Sequence, residues 1–167
     1  MRIPLLAFLL LAIASVSRAD PAFRLTSPDF TPGGFIPAQF TADGANVPPH
    51  LEIAGVPQGT RSLALIVEDP DAPSGDFTHW IAWNIPPGAK SLRGEKVAEG
   101  ANDFGRTGYG GPQPPSGTHR YFFRLSALDT VLQLQTGATR KELDAAIKGH
   151  VIATAELMGR YSAGGSH

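Results

Sequence analysis

The alternation of apolar and polar positions predicts short strands over most of the chain. Residues 62–68 (Ser-Leu-Ala-Leu-Ile-Val-Glu) are apolar at nearly every position, the pattern of a central strand buried on both faces. Four more segments read as strands: 36–41, 50–54, 79–85 and the aromatic-rich 119–125. Asp43-Gly44 closes the first, Gly55-Val56-Pro57 the second and Pro86-Pro87 the third. One segment reads as a helix. Thr139 and Glu142 have capping-box spacing, Leu143 and Ile147 share a face at i, i+4, and Gly149 stands where a left-handed residue can end the helix. Beyond it, Val151, Ala153, Ala155 and Leu157 alternate with Thr154 and Glu156, which fits either a last strand or a second helix. The predicted architecture is therefore mainly β, two packed sheets in a sandwich-like arrangement, with one or two helices near the C-terminus. A helix arriving late and alone argues against alternating βαβ units.

The first residues follow a different pattern. Arg2 precedes an apolar run through Leu5, Leu9, Ile13 and Ala14, and Ser17-Arg18-Ala19 places small residues at the −3 and −1 positions of a cleavage site. This is the order of a secretory signal peptide, and the run is shorter than the roughly 17–25 apolar residues of a membrane span. Cleavage after Ala19 would leave residues 20–167 as one domain, periplasmic or secreted, without stable membrane insertion and with a short disordered tail at 162–167.

Composition narrows the chemistry. Among 167 residues there are 19 Gly, 15 Pro and no Cys, so disulfides, thiolate catalysis and Cys-based metal sites are excluded. The net charge of −1 becomes −3 once Arg2 and Arg18 leave with the leader, which supplies no footprint for nucleic acid.

The candidate chemistry gathers where strands begin and end. The buried strand runs into Asp69-Pro70-Asp71-Ala72-Pro73, two carboxylates held between two prolines that restrict the backbone. His79 opens the next strand after a short loop and, by strict alternation, shares a face with Ile81 and Trp83. A glycine-rich stretch from Phe104 through Gly105, Gly108, Gly110 and Gly111 to Pro112 offers backbone N–H groups of the kind that form anion-binding nests. It lacks the Lys-Ser/Thr of a phosphate loop. In the strand that follows, His119 and Tyr121 point to one face, and Arg120 points to the other as a structural salt-bridge partner.

In order, Asp69-Pro70-Asp71-Ala72-Pro73, His79-Trp80, Gly111-Pro112 and Gly117-Thr118-His119-Arg120-Tyr121 resemble the signature of the phosphatidylethanolamine-binding protein family, in its bacterial Raf-kinase-inhibitor-like branch. The resemblance implies a β-sandwich-like fold with a small anion pocket lined by Asp69, Asp71, Pro73, His79, Gly111, Pro112, His119 and Tyr121. It implies phosphate or a phosphorylated head group as ligand, no cofactor and no metal. Ala72-Pro73 is a candidate cis peptide. Gly111-Pro112-Gln113-Pro114-Pro115 departs from the simpler Gly-Pro-Pro run of eukaryotic members, which leaves open which proline lines the pocket. If each aspartate accepted from His79 or His119, the imidazoles would gain basicity and donate to the anion, and affinity would weaken as they deprotonate.

Other readings compete with a binding pocket. Asp69 or Asp71 with His119 could serve as the acid–base pair of a hydrolase, although no G-x-S-x-G elbow occurs. The aspartates and histidines are metal-ligand types but lack a dedicated spacing. A protein-interaction module such as a protease inhibitor would act through a loop or terminus. A homodimer or an unidentified exported protein partner also remains open.

Overall fold

The computed structural model describes residues 22–92 and 95–164. The expected leader and its cleavage position lie outside the described residues. Seven strands and one α-helix follow in the order β1 (Arg24–Thr26), β2 (Glu52–Ala54), β3 (Ser62–Asp69), β4 (Phe77–Ile85), β5 (Ala98–Glu99), β6 (Thr118–Leu128), α1 (Arg140–Ile147) and β7 (Val151–Ser162). The large sheet has the order β5-β4-β3-β6-β7, and β1 pairs with β2 in a small second sheet. All eight β3 residues are buried, as a central strand flanked by β4 and β6 requires. Among the described residues, no helix is long and apolar enough to cross a membrane.

Each face of the large sheet has its own cover. Leu63, Leu65, Val67, Tyr121, Phe123 and Leu125 pack with Leu25 and Ile53 of the small sheet on one face. Ala64, Ile66, Ile81 and Trp83 pack with Leu143 of α1 and with Leu132 on the other. The helix begins with the expected capping box, and Gly149 has φ 81° just past its end. Buried Glu68 fastens α1 to the sheet, accepting from Arg140 Nη1 at 2.5 Å while pairing with Arg124 of β6. Both arginines hold a second carboxylate, Asp144 and Glu156 respectively, so the buried charge sits in a compensated network.

Several sequence expectations change. Residues 36–41 form no strand: Phe40 N donates to Pro37 O and Thr41 N to Ala38 O, closing a 3₁₀ turn at Ala38–Phe40. The ambiguous C-terminal segment is β7, paired with β6 from Val151 to Ser162. The tail expected from 162 onward is not disordered at its start, because Ser162 pairs with Thr118 and Ala163 N donates to Gly117 O; residues 165–167 lie outside the described residues. The described residues contain no cis peptide bond, so Ala72-Pro73 is trans.

Candidate functional site

The end of β3 and the starts of β4 and β6 meet at one end of the large sheet, because β3 runs antiparallel to both neighbours. This brings Asp69 of β3, His79 of β4, and His119 and Tyr121 of β6 together. A β-bulge decides where His79 goes. Val67 pairs with Trp80 and Glu68 with Thr78, so His79 is the extra residue and the alternation of β4 breaks there. Its ring packs edge-on against Tyr121, with centroids 5.2 Å apart, on the face opposite to Ile81 and Trp83. The strict parity expected from the sequence fails at this residue.

The two aspartates separate. Asp69 is buried. Its Oδ2 accepts from His119 Nδ1 at 2.7 Å, and its Oδ1 accepts from the Asp71 backbone N–H at 2.8 Å. Asp71 faces Arg120 instead. Its carboxylate accepts from Arg120 Nε, Nη2 and the backbone N–H at 2.7–2.9 Å. These bonds hold the Asp71 carboxyl well below its ordinary range, at a pKa of about 2. The expected role of Arg120 as a salt-bridge partner stands, and Asp71 is spent on it rather than on a histidine.

His79 also departs from expectation. Its Nδ1 lies 2.7 Å from Gly110 O, and a carbonyl can only accept, so Nδ1 carries the proton. Burial pushes the imidazole pKa below its ordinary value, against opposing pulls from the Gly110 carbonyl and the charge of Asp69. The arrangement in which each aspartate accepts from one histidine therefore fails for His79, and only Asp69 and His119 make such a contact among the described residues. Tyr121 is 1% exposed, and its hydroxyl is one of two sealed side-chain polar atoms without a hydrogen-bond partner among the described residues, the other being Trp83 Nε1. Asp69 and the Gln113 backbone lie close to that hydroxyl, short of full hydrogen-bond geometry. Burial first, then the charge of Asp69, raise its pKa, so it stays protonated.

The glycine-rich segment offers no nest at its four central glycines. Gly105 N donates to Asn102 O, Gly108 N to Gly100 O, Gly110 N to His79 O, and Gly111 N to Asn46 Oδ1 at 2.8 Å. Gly111 is there for close approach: a Cβ would fall 2.6 Å from Phe40 O and 2.7 Å from Thr41 Cα. Pro112 and Pro114 are buried, Pro115 and Pro73 exposed, and Pro112 O accepts from Ala42 N. Asn46, at φ 54°, thus joins the loop at 38–46 to the site, a contribution sequence reasoning missed. It also missed the aromatic wall. Phe77 and Phe104 pack on the His79 ring with centroids 5.2 and 5.3 Å away, and Asn102 shapes the loop carrying Phe104 by accepting from Phe104 N and Arg106 N. The turn chemistry of Asn102-Asp103-Phe104-Gly105 was the available signal.

Asp69, Asp71, His79 and His119 form no metal-ligand cluster among the described residues. Asp69 and His119 do make a carboxylate–imidazole pair, but no hydroxyl or thiol nucleophile is hydrogen-bonded to the ring. A separate open cleft of about 810 Å³, bordered by Phe40, His50, Trp80 and Glu99, contains none of the eight expected site residues. Its other border residues Leu92 and Glu95 flank 93–94, which lie outside the described residues.

Comparison with known proteins gives the family and the fold. Residues 26–162 match the model of the family described as phosphatidylethanolamine-binding protein. A UPF0098 protein of Pyrococcus abyssi is 45% identical over 171 aligned positions, covering 95% of this chain and 96% of its own length. Among solved structures, a candidate phosphatidylethanolamine-binding protein homolog from Chlamydia trachomatis is 42% identical with a TM-score of 0.81, over 84% of this chain and 97% of that one. E. coli YbcL, called a new member of the mammalian family, is 31% identical with a TM-score of 0.78, over 84% and 98%. The chain belongs to the phosphatidylethanolamine-binding protein family.

Proposed function

We propose that this protein, exported after loss of its leader, binds phosphate or a phosphorylated head group between His79, His119 and Tyr121, without catalysing a reaction on it. The observation that carries the reading is the Tyr121 hydroxyl, buried without a hydrogen-bond partner among the described residues, beside two histidines whose Nδ1 atoms are held by Gly110 O and Asp69. Burying an unpaired hydroxyl costs about 1–3 kcal/mol, so its retention here is explained if a ligand oxygen completes it. Asp69 supports the site by orienting His119, while Asp71 and Arg120 brace the turn that holds Asp69. Phe77 and Phe104 form an apolar wall against which a head group's carbon atoms can rest.

The test is a chemical-shift titration of residues 20–167 with inorganic phosphate and, separately, phosphoethanolamine, beside a His119→Ala variant. Shifts at 69–73, His79 and 110–121 that vanish in the variant are the expected result. A preference for phosphoethanolamine would assign the head group, and equal shifts would assign the phosphoryl moiety alone. Absence of site shifts at millimolar ligand would refute the reading.

A further inference from the structure

We propose that the open cleft bordered by Phe40, His50, Trp80 and Glu99 is a second binding site, and that it takes an organic cation: an ammonium or guanidinium group carried on an apolar body. Asp69, His79, His119 and Tyr121 do not border this cleft, so it stands or falls separately from the anion site.

The shape comes first. A volume of about 810 Å³ lies within the roughly 300–1,000 Å³ range of small-molecule pockets. Its apolar side is built from the core outward. Phe40, Pro49 and Trp80 are buried residues that reach the cleft, and Val47 and Val97 continue that surface toward solvent. Val47 is 46% exposed, one of four large apolar side chains so exposed among the described residues. The backing is firm. Tyr109 packs edge-on against Trp80, with centroids 5.6 Å apart, and its hydroxyl donates to Phe40 O.

The charge decides the ligand class. Among the described border residues there are three carboxylates, Asp29, Glu95 and Glu99, against one lysine, Lys96. Two of the carboxylates are half-buried and held by neutral donors. Glu99 Oε1 accepts from Trp80 Nε1 at 2.7 Å, and Asp29 Oδ2 accepts from the His50 backbone N–H at 2.6 Å. Neither has an ion-pair partner among the described residues, whereas buried Glu68 holds two arginines. Fixed carboxylates between low-dielectric walls attract a cation and repel an anion. The border groups form no metal-ligand cluster among the described residues, so they suit a cation that brings its own carbon frame rather than a bare ion.

The two tryptophans of the chain make the test internal. Trp80 lies at the cleft, while Trp83 Nε1 is sealed in the core on the other face of the sheet. ¹H–¹⁵N spectra of residues 20–167 near neutral pH would follow both indole N–H signals during titration with phenethylamine, with its neutral counterpart 2-phenylethanol and with the anion 3-phenylpropanoate. The amine should shift the Trp80 signal saturably at millimolar concentration and leave Trp83 in place. The alcohol should bind at least about threefold more weakly, and the anion more weakly still. Glu99→Gln keeps an acceptor for the Trp80 indole but removes the charge, so amine affinity should fall by about threefold or more while that of the alcohol holds. Lys96→Gln, at an exposed side chain, should raise amine affinity. Equal affinities for amine and alcohol, or an amine affinity indifferent to both substitutions, would overturn the inference. So would a Trp80 signal that answers none of the probes, or amine binding lost in His119→Ala, which would place the amine at the anion site.

Discussion

Replacing Tyr121 by Phe tests the site without depending on any ligand. The ring lies in the core beside Phe123 and Leu125, 1% exposed, and packs edge-on against His79. Phenylalanine keeps those contacts and removes only the hydroxyl. An unpaired buried hydroxyl costs about 1–3 kcal/mol, from which the small void left by one oxygen subtracts a fraction. The net expectation is a gain of about 1 kcal/mol in the stability of the free protein. For a domain of this size that raises Tm by about 2–4 °C. Urea and thermal unfolding of residues 20–167 in phosphate-free buffer would measure it. Under the proposed function, phosphate affinity of the same variant should fall about tenfold, because the hydroxyl assigned to the ligand is gone. Opposite signs for stability and binding are the signature of a group held in readiness for a ligand. A variant destabilised by about 1 kcal/mol or more would mean that the hydroxyl is paired in solution, to Asp69 or to water, and would refute the reasoning.

Two further substitutions probe the frame of the site. Asp71→Asn removes a carboxyl that Arg120 holds at a pKa of about 2, below the ordinary aspartate range. Its contribution is present above pH 4 and lost as pH falls toward 2; the variant should flatten that limb in acid unfolding. Because the Asp71–Arg120 pair is largely solvent-exposed, the effect should be small and should weaken further at high salt. Gly111→Ala places a methyl 2.6 Å from Phe40 O and 2.7 Å from Thr41 Cα, so backbone must move. A loss of about 1–3 kcal/mol is expected in denaturant unfolding, and an unchanged midpoint would show that the loop at 38–46 yields freely.

What could be read from the sequence and what could not divide along physical lines. The central strand, the capped helix and the partnership of His119 with Tyr121 on one face follow from local periodicity, and each stands in the structure. The 3₁₀ turn at Ala38–Phe40 was hidden because its apolar residues, Ile36 and Phe40, satisfy a strand pattern as well as a turn. His79 was placed on the wrong face because a bulge carries no periodic signal; it exists only in the pairing of β4 with β3.

The glycine-rich segment illustrates the deeper limit. Its composition invites an anion nest, yet a nest requires free N–H groups, and freedom is a property of the partners rather than of the glycines. Gly111 N is taken by Asn46, sixty-five residues upstream, and Gly110 N by the carbonyl of His79 itself. The same reciprocal pairing, His79 N–H of the ring to Gly110 O, fixes the proton on Nδ1. The residues that seem to supply donors to an anion thus spend them holding one another in place. Family membership is legible in the motifs, but which donors stay uncommitted at this end of the sheet is set by hydrogen-bond accounting that only the folded arrangement reveals.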